Sequence, residues 1–213
     1  MKIDWTEITT VLLDMDGTLL DLHFDNYFWQ HYVPQVYSVK HELPAVAARE
    51  HIEPLLASHE GTLNWYCVDF WSEQLGLDIM QLKADVSHKI AYLPSAQAFL
   101  QYCREEIGDV RLITNGHRKV LNLKQSITGL DQYFDQMVCS HELGAPKEDQ
   151  AFWSLLQEQK GFEPSRTLFI DDSERVLDSA HEYGIGQIFS IAKPDSRKER
   201  GKPSKFPMLE NLI

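Results

Sequence analysis

Two carboxylates, Asp14 and Asp16, follow the apolar run Val11-Leu12-Leu13 and lead into Gly17-Thr18. Such a run reads as a buried strand ending in a tight loop. In open α/β sheets, ligands bind at the carboxyl ends of the strands. Acids gathered there without a counter-charge are costly, so the pattern asks for a cation. Mg²⁺ suits it, because it prefers oxygen donors and keeps positions open for water or phosphate. The bland reading is an acidic turn that merely caps the next element. Three further stretches weaken that reading. Residues 110–114 form a second apolar run, ending in Thr114 and Asn115. Gly144-Ala145-Pro146-Lys147 sets a lysine after a turn, at the start of a helical pattern. Residues 167–170 form a third run, ending in Asp171-Asp172. Singly each is weak, since Thr and Asp are common at strand ends and helix starts and a lysine at a helix start is often a solvated one. Together they supply carboxylates for a metal, a hydroxyl and an amide for phosphate, and a fixed cation. That is the inventory of phosphoryl transfer.

Holding these groups in one place requires strands that end together. Between the first strand and Leu93-Pro94 no strand-like run occurs, and the segment reads as helices. Phe28, Tyr32 and Val36 recur every four residues, with Pro34 set to kink or divide that helix. Pro44 suits the first turn of a second helix. Thr62 starts a third, whose stripe of Tyr66, Phe70 and Trp71 ends at Gly76. Asp78 caps a fourth, with Leu82, Val86 and Ile90 on one face. From Ser95 helix and strand alternate: helices over 95–106, 117–127, 147–159 and 174–183, strands over 110–114, 137–140, 167–171 and 187–191. Alternation of this kind implies a mostly parallel sheet with right-handed crossovers. The helical block is then an insertion into an α/β domain, just after the first acidic loop. The tail from Lys193 reads as irregular.

Bulk properties set the class. A chain of 213 residues with 43% hydrophobic and 24% charged content suits a soluble globular protein with a substantial core. A net charge of −12 argues against nucleic-acid or anionic-membrane binding. Cys67, Cys103 and Cys139 lie far apart, which fits a reducing, cytoplasmic setting rather than a disulfide framework or zinc cluster. The start of the chain carries acids where a signal peptide has its apolar core, and no apolar run reaches membrane-spanning length. The nine histidines are scattered without metal-ligand spacing, and nothing marks a protein partner.

The order Asp14-Met-Asp16-Gly-Thr18, Thr114, Lys147, Asp171-Asp172 resembles the four motifs of the haloacid dehalogenase superfamily of phosphohydrolases. Within it, residues 10–21, 24–30, 63–66 and 146–150 resemble the bacterial nucleotidases that act on GMP and IMP. The resemblance implies a Rossmann-like α/β core over 1–19 and 94–213, with a helical cap over 20–93. It implies Asp14 as the nucleophile and Asp16 as general acid and base. Thr114, Asn115 and Lys147 would bind the phosphoryl group. Mg²⁺ would be held by Asp14, the Asp16 backbone carbonyl and Asp172, with Asp171 adjacent. The implied activity is hydrolysis of purine nucleoside 5′-monophosphates through an aspartyl-phosphate. The alternatives are a phosphatase of small sugar phosphates or phosphoglycolate, or a phosphomutase. Signalling receiver domains combine similar groups, but their acceptor aspartate lies on a later strand and they carry no cap. In the implied cap, Phe24, Tyr27, Phe28, Trp29, Trp65 and Tyr66 form an aromatic surplus, most of it expected as core. Trp29, Trp65 and Tyr66 are candidates for stacking on a base, and Asn64 for reading its edge.

Overall fold

The computed structural model of the chain describes residues 3–198 and 203–212. Six strands make one parallel sheet: β1 (Thr10–Leu13), β2 (Val110–Thr114), β3 (Gln136–Cys139), β4 (Thr167–Asp171), β5 (Gln187–Ile191) and β6 (Met208–Leu209). The order across the sheet is β3-β2-β1-β4-β5-β6. Every residue of β1, β2 and β4 is buried. Parallel strands carry helices on both faces, which is why these runs are continuously apolar rather than alternating. The two faces still sort by the strand period of two. Val11, Leu13, Leu112 and Ile170 enter one hydrophobic cluster, and Leu12, Ile113 and Phe169 enter the other.

Between β1 and β2 the chain is helical: α1 (His23–Tyr27), a π-helical turn (Phe28–Tyr32), α2 (Val33–Lys40), α3 (Ala45–His59), α4 (Leu63–Tyr66), α5 (Val68–Leu75) and α6 (Ile79–Asp85). The helices that follow are α7 (Ala96–Glu106), α8 (Arg118–Thr128), α9 (Ser140–Leu143), α10 (Gln150–Lys160) and α11 (Glu174–Tyr183). The chain passes between the sheet and the inserted helices twice, side by side. Asp21 N–H donates to Ala91 O and Leu93 N–H to Leu19 O, both at 2.9 Å.

The helical run around Pro34 is divided just before it, though the backbone stays helical throughout. The turn before it widens to π-helical, and Pro34 falls in the first turn of α2, where its missing N–H costs little. Several expectations are corrected. The helix expected from Thr62 to Gly76 is two helices, because Cys67 is extended; the Trp71 indole N–H donates to Trp65 O across the break. The fourth helix stops at Asp85, and a 3₁₀ turn (Ser87–Lys89) carries the chain onward. Lys147 lies in the turn before α10, whose N-cap is Asp149. The tail is not wholly irregular. Met208–Leu209 adds the sixth strand, and Asp195 accepts a hydrogen bond from Asn26 of α1 at 2.7 Å.

Trp71 is fully buried and packs edge-on against Trp29, Trp65, Phe70 and His59. Trp71→Ala is therefore expected to destabilise the fold by about 3–5 kcal/mol, read as a lower urea midpoint.

Candidate active site

β1 lies between β2 and β4, so the loops leaving these three strands converge at the carboxyl edge of the sheet. The sheet order has its topological switch here, where α/β crevices form. Asp14 follows β1 directly, and its N–H donates to Ile170 O of β4. Asp171 is the last residue of β4 and Thr114 the last of β2. All three are buried. Gly17 has φ of +85°, and a Cβ there would stand 2.5 Å from Asp172 Oδ2. Only glycine allows this backbone and this approach.

Lys147 is the hub. It is 2% exposed, which excludes a solvated helix lysine. Its ammonium lies 2.5 Å from Asp14 Oδ1 and 2.6 Å from Asp171 Oδ2. A third bond goes to Ile113 O at 3.2 Å. Its backbone N–H donates to Asn115 Oδ1, and Asn115 Nδ2 donates to Glu148 Oε2. Glu148 in turn accepts from the Tyr66 hydroxyl at 2.7 Å. The Asn115 amide is thus spent on bracing the Lys147 turn. The Thr114 hydroxyl accepts from Gly116 N–H, while His117 Nδ1 caps α8, so Thr114 is not the helix cap.

Asp14, Asp171 and Asp172 each bring one carboxylate oxygen within 4.8 Å of the others. Three acids face one ammonium. Burial raises Asp14 to about 6, against the pull of Lys147. Burial likewise raises Asp171, and raises Asp172 well above the usual carboxylate range, with the other acids adding to it. Burial pulls Lys147 down while the carboxylates of Asp14 and Asp171 pull it up, and the acids prevail. A hard divalent cation fits this all-oxygen, charge-deficient set. Enzymes with these motifs generally use Mg²⁺.

Asp16 sits apart from that trio. Its carboxyl is also raised to about 6 by burial, opposed by Lys124. Lys124 Nζ bonds Asp16 and Asp25, and Lys83 Nζ bonds Asp25. Asp25, Lys83, Lys124 and Glu148 were not legible as site residues. A signal existed for the two lysines. Val120, Leu121 and Lys124 are buried on one side of α8, as Ile79 and Lys83 are on α6, so each lysine sits on its helix's apolar face.

A cavity of about 620 Å³ opens over these groups, lined on the helical side by Asn26, Trp29, Trp65 and Tyr66. Phe24 and Phe28 are core. Asn64 is exposed and does not line the cavity.

The sequence profile of the haloacid dehalogenase-like hydrolases matches residues 8–184. The chain belongs to this family. It is a phosphohydrolase of the haloacid dehalogenase superfamily. The chain is 40% identical over 211 residues to the GMP/IMP nucleotidase YrfG of Escherichia coli (strain K12), covering 99% of this chain and 95% of that one. Its fold is that of a HAD phosphatase from Thermococcus onnurineus, with a TM-score of 0.78 at 23% identity over 96% and 94% of the two chains. The magnesium-bound HAD-hydrolase YfnB from Bacillus subtilis superposes with a TM-score of 0.67 at 17% identity over 96% and 95%. Among the described residues no helix of this HAD phosphohydrolase is long and apolar enough to cross a membrane.

An acid whose folded pKa is raised binds its proton more tightly when folded. For Asp14 that stabilisation is present below the unfolded value of 3.8 and is lost as pH rises through about 6. A divalent cation bound at this site would take the place of the lost proton. Mg²⁺ is therefore expected to raise the Tm more near about pH 7.5 than near about pH 5, against EDTA controls in a thermal melt.

Proposed function

We propose that the chain is a Mg²⁺-dependent 5′-nucleotidase that hydrolyses purine nucleoside 5′-monophosphates, GMP and IMP foremost, through an aspartyl-phosphate on Asp14. The observation that carries this reading is Lys147 clamped between Asp14 and Asp171 beneath a 620 Å³ cavity with aromatic walls. The nucleotidase likeness over 99% of the chain supports the same substrate class.

Mechanism follows from the geometry. A phosphate monoester resists attack by anions, so its charge must be met before a nucleophile approaches. Asp14 and Asp172, with the Asp16 carbonyl, would hold Mg²⁺, with Asp171 behind them. The ion would offset repulsion between the Asp14 carboxylate and the phosphoryl oxygens. The Thr114 hydroxyl donates to one of those oxygens, and Lys147 balances charge on another. Asp14 attacks phosphorus in line, and the P–O bond to the nucleoside 5′-oxygen breaks. Asp16 gives that oxygen its proton. It then takes a proton from water, which attacks the aspartyl-phosphate and releases phosphate. A carboxyl titrating near 6 can do both tasks close to neutrality. Splitting one difficult displacement into two is the gain from the covalent step.

Residues 20–93 act in this reading as a cap that excludes bulk water and selects the leaving group. Trp29 and Trp65 reach the cavity, and stacking on a base is worth about 1–3 kcal/mol. Tyr66 lines the same wall, with its hydroxyl committed to Glu148. The cysteines form no disulfide, which supports a reducing, cytoplasmic setting.

Three outcomes test the proposal. Asp14→Asn should remain folded and lose more than about 10³-fold in kcat, and retention within about tenfold removes the nucleophile. EDTA should stop phosphate release and Mg²⁺ restore it; turnover by metal-free protein would contradict the metal site. Across GMP, IMP, AMP, CMP, UMP, glucose 6-phosphate and phosphoglycolate, kcat/KM should be highest for GMP and IMP. A sugar phosphate or phosphoglycolate in first place ends the nucleotidase reading and leaves the phosphatase standing.

A further inference from the structure

The mechanism above uses Asp16 but leaves unexplained the ionic cluster that holds it. Lys124 Nζ lies 2.6 Å from Asp16 Oδ1 and 2.6 Å from Asp25 Oδ2. Asp25 Oδ1 lies 2.7 Å from Lys83 Nζ. The four groups alternate in sign, and the two lysine side chains are 1% and 3% exposed. The Phe24 ring lies 5.0 Å from the Lys83 ammonium and 5.1 Å from that of Lys124, an apolar partner that also withholds water. Desolvating such a set is expensive, and apolar residues of similar volume often serve stability as well. Stability is therefore a poor account of why four charges gather here.

Orientation is a better one. We propose that Lys124, braced by Asp25, is a positioning residue that sets the Asp16 carboxyl for proton transfer to the leaving oxygen. Lys124 ties down Oδ1 and leaves Oδ2 turned toward the phosphate-binding loop. A Cβ built on Gly116 would stand 3.1 Å from Thr114 Oγ1 and 3.9 Å from Asp16 Oδ2, so both oxygens border the same small space. The terminal torsion of an aspartate is soft, and an untethered Asp16 would offer either oxygen over a broad range of angles. Proton transfer rewards one oxygen held at one angle within hydrogen-bond reach. Asp25 keeps Lys124 from following Asp16, and Lys83 balances Asp25. Asp16 and Lys124 belong to the first loop and α8, whereas Asp25 and Lys83 come from α1 and α6. The acid is thus aimed by groups on both sides of the cavity. The inference rests on Asp16 acting as the acid in the proposed reaction.

The leaving group supplies the test. A nucleoside alkoxide needs the proton, whereas 4-nitrophenolate leaves without one, and kcat/KM reports the steps up to its departure. Lys124→Met should lower kcat/KM about 100-fold for GMP and less than about fivefold for 4-nitrophenyl phosphate, with inhibition by inorganic phosphate unchanged. Lys124→Arg should recover part of the loss on GMP. Asp25→Asn should show the same split at about tenfold on GMP, and it decides the matter if Lys124→Met does not fold. Equal losses on both esters, or no loss on GMP, overturn the positioning role while leaving the hydrolase reading intact. A wild-type protein inert toward both esters sinks the hydrolase reading, and this inference with it.

Discussion

The structure is organised around the burial of like charge. Asp14, Asp16, Asp25, Asp171 and Asp172 crowd the carboxyl edge of one sheet, and Lys147, Lys124 and Lys83 answer them. Five acids outnumber three ammoniums, an excess of negative charge that a bound divalent cation would offset. Each lysine is nearly sealed from water, so every pairing acts in a medium of low effective dielectric. Removing one partner from such a set typically costs about 3–5 kcal/mol, because the other is left buried and unpaired. The protein therefore concentrates its electrostatic strain where the proposed reaction needs a cation and a proton donor.

That arrangement explains the separation of roles between two neighbouring aspartates. Asp14 points into the group formed by Lys147, Asp171 and Asp172, whereas Asp16 points away to Lys124. Successive residues in extended chain alternate direction, but Asp14 and Asp16 differ by two and would share a side in a strand. The turn at Gly17, with its positive φ, and the return of Leu19 and Leu20 N–H onto Met15 O break that register. One motif thereby serves two clusters.

The α/β order, the helical insertion and the convergence of Asp14, Thr114, Lys147 and Asp171 at one sheet edge are legible in the sequence because each rests on a local signal. Apolar runs ending in Asp or Thr mark strand ends, and Pro and Gly mark boundaries. What was hidden is non-local. Glu148 matters because Tyr66 and Asn115 reach it from elsewhere in the chain. Lys124 and Lys83 look like ordinary surface lysines until their helices are packed, although each sits on an apolar stripe. Lys147 was expected on a helix and lies before one, because Asp149 takes the cap. The β6 strand, two residues in a polar tail, has too little pattern to be read without its partner β5.

That short strand also bears on how the molecule behaves in a crowded solution. An open sheet edge is a template for pairing with another chain. Here one border ends in β6, two residues long, while the Gln187 side chain at the start of β5 bonds the backbone of Asp4. The opposite border is β3, four residues long. Among the described residues neither side offers a long flat ladder, so the sheet beneath the candidate site is poorly suited to recruiting copies of itself into fibrils.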